Sequence, residues 1–270
     1  MGRYRKIHIQ QSLLNLAGTT IRDPRGGKRK GAGRPPKNGR RKTPHRRRPA
    51  FRASQPVHVS IKFLDSVVKT VDGFRKMDLY RALRKALVTT GRREDMRIVH
   101  MSIQDSHLHL IIEADGKTAL SRGIQGFKIS AAKWINRAIW ERGGSVGTLR
   151  KGTVFAERYF NEVITSPRQA RNALSYVLNN WRRHRLDRGE GTYKLIDKFS
   201  SALKFDGWKD FDRQQWSIPR DYEPLVVWEA RTWLLREGWR RHGLISVYER
   251  PGHGLNAATK RRLAKQGRTG

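Results

Sequence analysis

His107 and His109 flank a single leucine in an otherwise apolar run that ends at Glu113. If this run is a β-strand, its side chains alternate between two faces, so the two imidazoles share one face of the sheet. Two neighbouring imidazoles can chelate one metal ion. Because two ligands do not complete a coordination sphere, the pair alone is a weak indication, and an ordinary strand remains the alternative.

Tyr176 and Asn180 lie four residues apart in a later segment, a spacing that stacks side chains on one face of a helix. They are separate from the apolar stripe of that segment, which consists of Ala170, Ala173, Leu174, Val177 and Trp181. Tyr176 and Asn180 can therefore face the sheet surface that carries the histidines. The alternative is a tyrosine packed at the edge of the core with its hydroxyl in solvent.

The elements that must position these side chains follow from local patterns of apolar residues and from turn and capping residues. They predict the order strand, helix, strand, strand, helix, strand, helix over residues 57–61, 78–90, 97–103, 107–113, 118–142, 154–164 and 166–183. This order is typical of a ferredoxin-like split βαβ fold with one added helix. We therefore predict an α+β domain with an antiparallel sheet of four to five strands, helices on one face, and an extra helix that carries Tyr176.

Composition and charge limit the class of function. The 270 residues include 58 Lys+Arg and 23 Asp+Glu, a formal net charge of +35. A chain this basic is typical of proteins that bind polyanions, above all nucleic acid, and not of ordinary metabolic enzymes. With no cysteine, disulfides, thiolate metal sites and cysteine nucleophiles are excluded. No apolar run is long enough for a membrane span and no secretion signal is evident, so we expect a cytoplasmic protein that does not bind membranes.

Residues 1–54 are predicted to form a disordered basic arm. Residues 1–55 contain 17 Lys+Arg and one acid, Asp23, with little to bury. The run Gly33-Arg34-Pro35 resembles the core of an AT-hook, although a polybasic tail that binds phosphates without sequence preference is the favoured interpretation. The arm residues that we predict to contact DNA are Arg34, Lys37, Arg46, Arg47 and Arg48.

Domain boundaries follow from the same changes in composition. We predict a catalytic domain over residues 55–185 and a basic tail over residues 256–270. Between them, residues 186–255 form a tryptophan-rich extension of low regularity, with one helix from about residue 224 to residue 241.

The run His107-Leu108-His109 in an apolar strand resembles the His-hydrophobic-His motif of the HUH nucleases. The runs Arg158-Tyr159-Phe160-Asn161-Glu162-Val163-Ile164 and Tyr176-Val177-Leu178-Asn179-Asn180 resemble the single-tyrosine transposases of that superfamily, in their IS200-like, REP-associated branch. The resemblance covers about residues 55–185. The chain departs from the pattern at Trp181, where the family has proline, and at Gln104-Asp105-Ser106, where it has Met-Pro-Asn/Asp.

This resemblance implies a function and a role for each residue. Tyr176 would be the nucleophile, and His107, His109 and Asn180 would hold a divalent ion, Mg²⁺ or Mn²⁺. The substrate would be single-stranded DNA with a hairpin or palindrome, which is cut and rejoined through a covalent 5′-phosphotyrosine. A bacterial, nucleoid-associated protein is expected, and the question of whether it forms a homodimer is left open.

Two alternatives remain at this point. Tyr159 is a rival nucleophile in the fourth strand. Tyr176 is preferred because Asn180, at helical i+4 spacing, can share the metal site, so we predict that Tyr159 and Arg158 contact DNA instead. The whole chain could also be a non-catalytic binder with an RRM-like sheet, or a domesticated transposase that regulates palindromic DNA. An RRM stacks bases on aromatic residues of its central strands, whereas this strand offers two histidines.

Overall fold

A computed structural model describes residues 48–68, 76–143, 151–156, 158–187, 196–210 and 222–251. The four strands are β1 (Val57–Lys62), β2 (Met96–Ile103), β3 (His107–Ala114) and β4 (Phe160–Val163). The helices are α1 (Asp65–Val68), α2 (Lys76–Thr90), α3 (Lys117–Arg142), α4 (Pro167–Asp187) and α5 (Trp233–Arg236), with 3₁₀ turns at Ser201–Lys204 and Gly238–His242. No helix in these ranges is long and apolar enough to cross a membrane.

The strands form one sheet in the order β2-β3-β1-β4, and every neighbouring pair is antiparallel. This arrangement confirms the predicted α+β class and the ferredoxin-like sheet. In the register of β1 and β3, Ser60 lies opposite His109 and His58 lies opposite Ile111. Because directly opposed residues share a face, the polar side of β1 adjoins the histidines of β3.

Helices α2 and α3 cover the face of the sheet away from these histidines. The alternate apolar residues of β1 and β3, Val59, Ile61, Leu108 and Leu110, are buried there with Leu83 of α2 and Phe127 of α3. α3 packs closely at Gly123, where an added Cβ would lie 2.2 Å from the sulfur of Met96. A side chain at this position would force Met96 to move, so glycine suits this approach of helix to sheet.

The other face of the sheet is covered by α4 and by the tryptophan-rich segment. Trp208 and Trp239 are buried with Leu174 and Val177 of α4 in a second core, and Trp181 of the same helix is buried as well. The region that we predicted as an irregular extension therefore belongs to the folded domain. It is a structural layer that lies over α4.

The predicted helix over residues 224–241 is wrong. Only Trp233–Arg236 is α-helical, and a 3₁₀ turn follows it. The backbone N–H of Trp228 donates to the carbonyl of Ile98 in β2 at 2.9 Å, and the buried carboxylate of Glu113 accepts from the N–H groups of Arg231 and Thr232. These tertiary hydrogen bonds satisfy the backbone groups that a helix would have used, so the chain stays extended here.

Two further boundaries differ from the prediction. The fourth strand covers only Phe160–Val163, although Phe155 makes an isolated bridge to Phe63. Order also begins before Val57. Phe51 packs against the first core, and Arg48 lies over the ring of Tyr159, so residues 48–54 do not behave as the end of a disordered arm.

Candidate functional site

His107 and His109 lie on the α4 side of the sheet and point toward each other. Their Nε2 atoms are 2.8 Å apart, and the two rings are nearly perpendicular. β3 is an internal strand, held by β1 on one side and β2 on the other. The backbone at these positions is therefore fixed on both sides, and the two imidazole nitrogens converge on one point.

α4 brings Tyr176 and Asn180 to the same point. The ring of Tyr176 meets the ring of His109 edge-on, with centroids 4.9 Å apart. Asn180 is buried, and its Nδ2 lies 3.3 Å from His109 Nε2. The structure thus assembles the four residues that the two sequence motifs named.

Two residues of β1 complete the surroundings of His109, and the sequence analysis missed both. His58 Nε2 and Ser60 Oγ each lie 3.2 Å from His109 Nδ1, on the side of the ring opposite Nε2. His58 also contacts Tyr176 edge-on at 5.5 Å between centroids. The alternation in Val57–Lys62 placed His58 and Ser60 on the polar face, but no sequence signal gave the register that sets them beside His109.

His184 was also missed, although its spacing could have indicated it. It follows Asn180 by four residues on α4, and Asn180 Nδ2 donates to His184 Nε2 at 3.1 Å. Its ring centroid is 5.7 Å from that of His107. The polar stripe of α4 therefore extends one turn beyond Asn180.

Burial favours the neutral form of His58, His107 and His109. Burial lowers the pKa of His58 to about 4. Burial, together with His107, His58 and His184, lowers the pKa of His109 to about 2, and burial followed by His184 lowers the pKa of His107. At neutral pH each ring keeps a nitrogen lone pair that can bind a cation.

A metal ion would have an incomplete set of protein ligands here. Within the described ranges, no three His, Cys, Asp or Glu side chains are arranged to hold an ion. The converging Nε2 atoms of His107 and His109 and the nearby amide of Asn180 fit an open site, in which substrate oxygens and water complete the coordination.

Tyr159 lies across the sheet from this site. Its ring is buried in the core formed with α2 and α3, and the guanidinium of Arg48 lies 3.5 Å above the ring centroid. Burial raises the pKa of Tyr159, which disfavours a nucleophilic phenolate. The structure therefore does not bring the rival tyrosine to the histidines. Of the predicted DNA contacts, Arg34, Lys37, Arg46 and Arg47 lie outside the described residues.

The family comparison bears directly on this constellation. A model of the family described as "Transposase IS200 like" matches residues 67–180, a range that contains both histidines, Tyr176 and Asn180. This part of the chain belongs to the IS200-like transposase family. The resemblance drawn from the motifs is confirmed, and the chain is an enzyme of the transposase class, which acts in DNA transposition.

Solved structures resemble the chain at low identity and low TM-score. A REP-associated tyrosine transposase bound to a REP hairpin is 13% identical, with a TM-score of 0.40, over 70% of this chain and 93% of that chain. A Deinococcus radiodurans R1 protein assigned as a transposase is 12% identical, with a TM-score of 0.28, over 56% and 100% of the two chains. A bacterial tRNA(His) guanylyltransferase-like protein in complex with GTP is 13% identical, with a TM-score of 0.33, over 46% and 60%. No curated protein matches the chain.

Proposed function

We propose that this transposase cuts and rejoins single-stranded DNA through a covalent link to Tyr176, with a divalent ion at His107, His109 and Asn180. The observation that carries the proposal is the convergence of the two Nε2 atoms 2.8 Å apart, beside the edge of the Tyr176 ring. A nucleophile and a pair of neutral nitrogen ligands therefore lie within one small volume.

Each side chain has a definite task in this reaction. His58 and Ser60 hold Nδ1 of His109, which directs Nε2 toward the ion site. Asn180 would supply an amide oxygen, which requires its amide to turn over, since Nδ2 is the atom that faces His109. When bound, Mg²⁺ or Mn²⁺ polarises a phosphate oxygen and offsets the charge that develops in the transition state.

The covalent step exchanges one phosphodiester for another. The hydroxyl oxygen of Tyr176 forms a bond to phosphorus, and the bond from phosphorus to the 3′ oxygen breaks. The tyrosine proton is transferred, in the net reaction, to the released 3′-hydroxyl. No water is consumed, so attack of a 3′-hydroxyl on the phosphotyrosine can rejoin the strand without ATP.

The preferred DNA is a hairpin or a palindrome. This part of the proposal rests on the resemblance to the REP-associated branch. The high positive charge of the chain supports a polyanionic substrate of some length.

The test is covalent capture. Full-length protein is incubated with Mn²⁺ and a labelled pool of single-stranded hairpins with randomised flanks, then denatured. We expect a labelled adduct with wild type and with Tyr159→Phe, and none with Tyr176→Phe. Both substitutions remove only a hydroxyl, so each controls for the other.

An adduct that persists in Tyr176→Phe would contradict the assignment of the nucleophile. The metal part is tested without DNA, by calorimetric titration of Mn²⁺ into wild type, His107→Ala and His109→Ala. Equal affinity in all three proteins would contradict the ion site.

A further inference from the structure

A cavity of about 790 Å³ lies on the face of the sheet opposite Tyr176. One wall is a single stripe of α3 that runs from Ser121 to Asn136 in steps of three and four residues, and the other wall is formed by residues 151–155, 158 and 159. The volume is within the ~300–1,000 Å³ typical of pockets for small molecules. None of the tasks assigned to the Tyr176 site uses this cavity.

The lining is strongly cationic. Its basic residues are Arg48, Lys128, Lys133, Lys151 and Arg158, and none of the described lining residues is Asp or Glu. Burial lowers the pKa of Arg48, with Arg158 acting in the same direction, and burial followed by Arg48 lowers the pKa of Lys128. Arg48 therefore repels both Arg158 and Lys128, and an anion among these three groups would relieve that repulsion.

The cavity also offers flat and apolar surfaces. The guanidinium carbon of Arg48 lies 3.5 Å from the centroid of the Tyr159 ring, and Nη2 donates to the Tyr159 carbonyl at 3.1 Å, so this group is held on two sides. Lys128 Nζ lies 5.4 Å from the centroid of the Phe155 ring. Ile129, which is half exposed, and Ala132 add apolar surface on the α3 side. A planar base can stack on a fixed guanidinium or pack against such surfaces.

We propose that this cavity binds an unpaired nucleotide, with its phosphate among the cations and its base against Arg48 and the apolar stripe of α3. Positive charge alone would suit any anion, but the fixed guanidinium plane and the apolar stripe favour a nucleoside phosphate. The arm of the same chain is an unsuitable occupant because it is itself strongly basic. The nucleotide can come from a bound DNA strand or from solution, and only the first source rests on the proposed function.

The experiment measures binding without cleavage. Full-length Tyr176→Phe protein in EDTA is titrated with fluorescent dT12, with an abasic 12-mer, and with dTMP. Lys128→Ala/Lys133→Ala is compared with Arg122→Ala, which removes a charge from an exposed position of α3 outside the cavity. We expect the double variant to bind dT12 at least tenfold more weakly, and Arg122→Ala to remain within twofold.

Competition by dTMP would identify a free nucleotide as a ligand, whereas binding of dT12 alone would identify a strand. Equal binding of the abasic 12-mer and dT12 would overturn the role of the base. Photocrosslinking with 5-iododeoxyuridine in dT12 should label peptides of α3 or of residues 151–159, and labels confined to other peptides would overturn the site. Because catalysis and metal are absent, failure of the Tyr176 mechanism cannot produce these results.

Discussion

At the scale of single residues, His109 contacts five other side chains of the site. Nδ1 is near His58 and Ser60, Nε2 is near His107 and Asn180, and the ring edge meets Tyr176. Nδ1 is thus held by residues of β1, and Nε2 faces the other residues that we propose as ligands of the ion. This is the division of tasks expected of a metal-binding histidine.

Replacement of His58 tests that division. We expect His58→Ala to reduce Mn²⁺ affinity or adduct formation by about 10–100-fold, because partners of metal ligands contribute to this extent. Calorimetry and capture kinetics measure the effect. Ser60→Ala should have a smaller effect, since His58 still holds Nδ1. Wild-type affinity and rate in His58→Ala would show that His58 only fills space.

Asn180 allows a sharper test of its role. If its amide oxygen binds the ion, Asn180→Asp should keep Mn²⁺ binding, because a carboxylate is a good ligand for a hard cation, and Asn180→Ala should lose it. If the residue acts only as a hydrogen-bond donor to His184, Asn180→Asp should be as damaging as Asn180→Ala. Titrations of Mn²⁺ into the two variants separate these cases.

At the scale of elements, the position of Tyr176 depends on how α4 is held against its neighbours. Arg171 donates to the carboxylate of Glu249 through Nη1 at 2.8 Å and through Nη2 at 2.7 Å. Ser175 Oγ donates to the same carboxylate at 2.7 Å. Asn179 donates to the carbonyl of Ser246 at 3.0 Å. These three residues repeat at four-residue spacing, directly beside the stripe that carries Tyr176 and Asn180. The segment that contains Ser246 and Glu249 therefore determines which face of α4 packs against the sheet.

Glu249→Gln should destabilise the protein in a pH-dependent way. Although burial alone raises the pKa of Glu249, hydrogen bonds from Arg171 and Ser175 hold that pKa below its ordinary value of 4.5. The stabilisation is therefore complete above about pH 4.5 and is lost as the pH falls through the lower folded-state value. We expect a cost of about 1–3 kcal/mol at pH 7 that shrinks as the pH falls below about 4.5, measured by urea unfolding.

Glu223→Gln is the matched control for this prediction. Glu223 pairs with Arg84, but its side chain is 71% exposed, so the cost should stay below about 1 kcal/mol. Hydrogen exchange in α4 should rise in Glu249→Gln and not in Glu223→Gln. Equal losses of stability in the two variants would argue against a special role for the contact between Glu249 and α4.

At the scale of the whole molecule, the stretch with the densest basic charge is separate in sequence from the residues proposed for catalysis. The first 47 residues contain 15 Lys and Arg, whereas the residues proposed for catalysis all lie between His58 and His184. Phosphate contacts position a protein on nucleic acid, and the folded domain selects the site. The arm should therefore govern affinity more than the choice of cleavage site.

Deletion of residues 1–47 should weaken binding to every DNA tested. It should also reduce the slope of log affinity against log salt by about 0.7 for each phosphate that the arm neutralises on a single strand. The deletion stops before Arg48 so that the contact of Arg48 with Tyr159 is kept. Titrations at several salt concentrations, with cleavage mapped on the same hairpins, measure both effects. A changed cleavage site would assign specificity to the arm and favour the AT-hook interpretation.

The amino-acid sequence was sufficient to predict most elements and the faces of their side chains, because a two-residue or four-residue period depends only on local geometry. It therefore predicted the strand of His107 and His109, the helix of Tyr176 and Asn180, and the α+β sheet. Which distant residues meet depends on tertiary packing. The register of β1 against β3 brought His58 and Ser60 to His109. Tyr159 and Tyr176 lie on opposite faces of the sheet, which also depends on tertiary packing. Near Trp228, hydrogen bonds to Ile98 and Glu113 hold the chain extended where a helix was predicted. The sequence could not indicate this, because hydrogen bonds to partners more than a hundred residues away leave no periodic pattern in the local sequence.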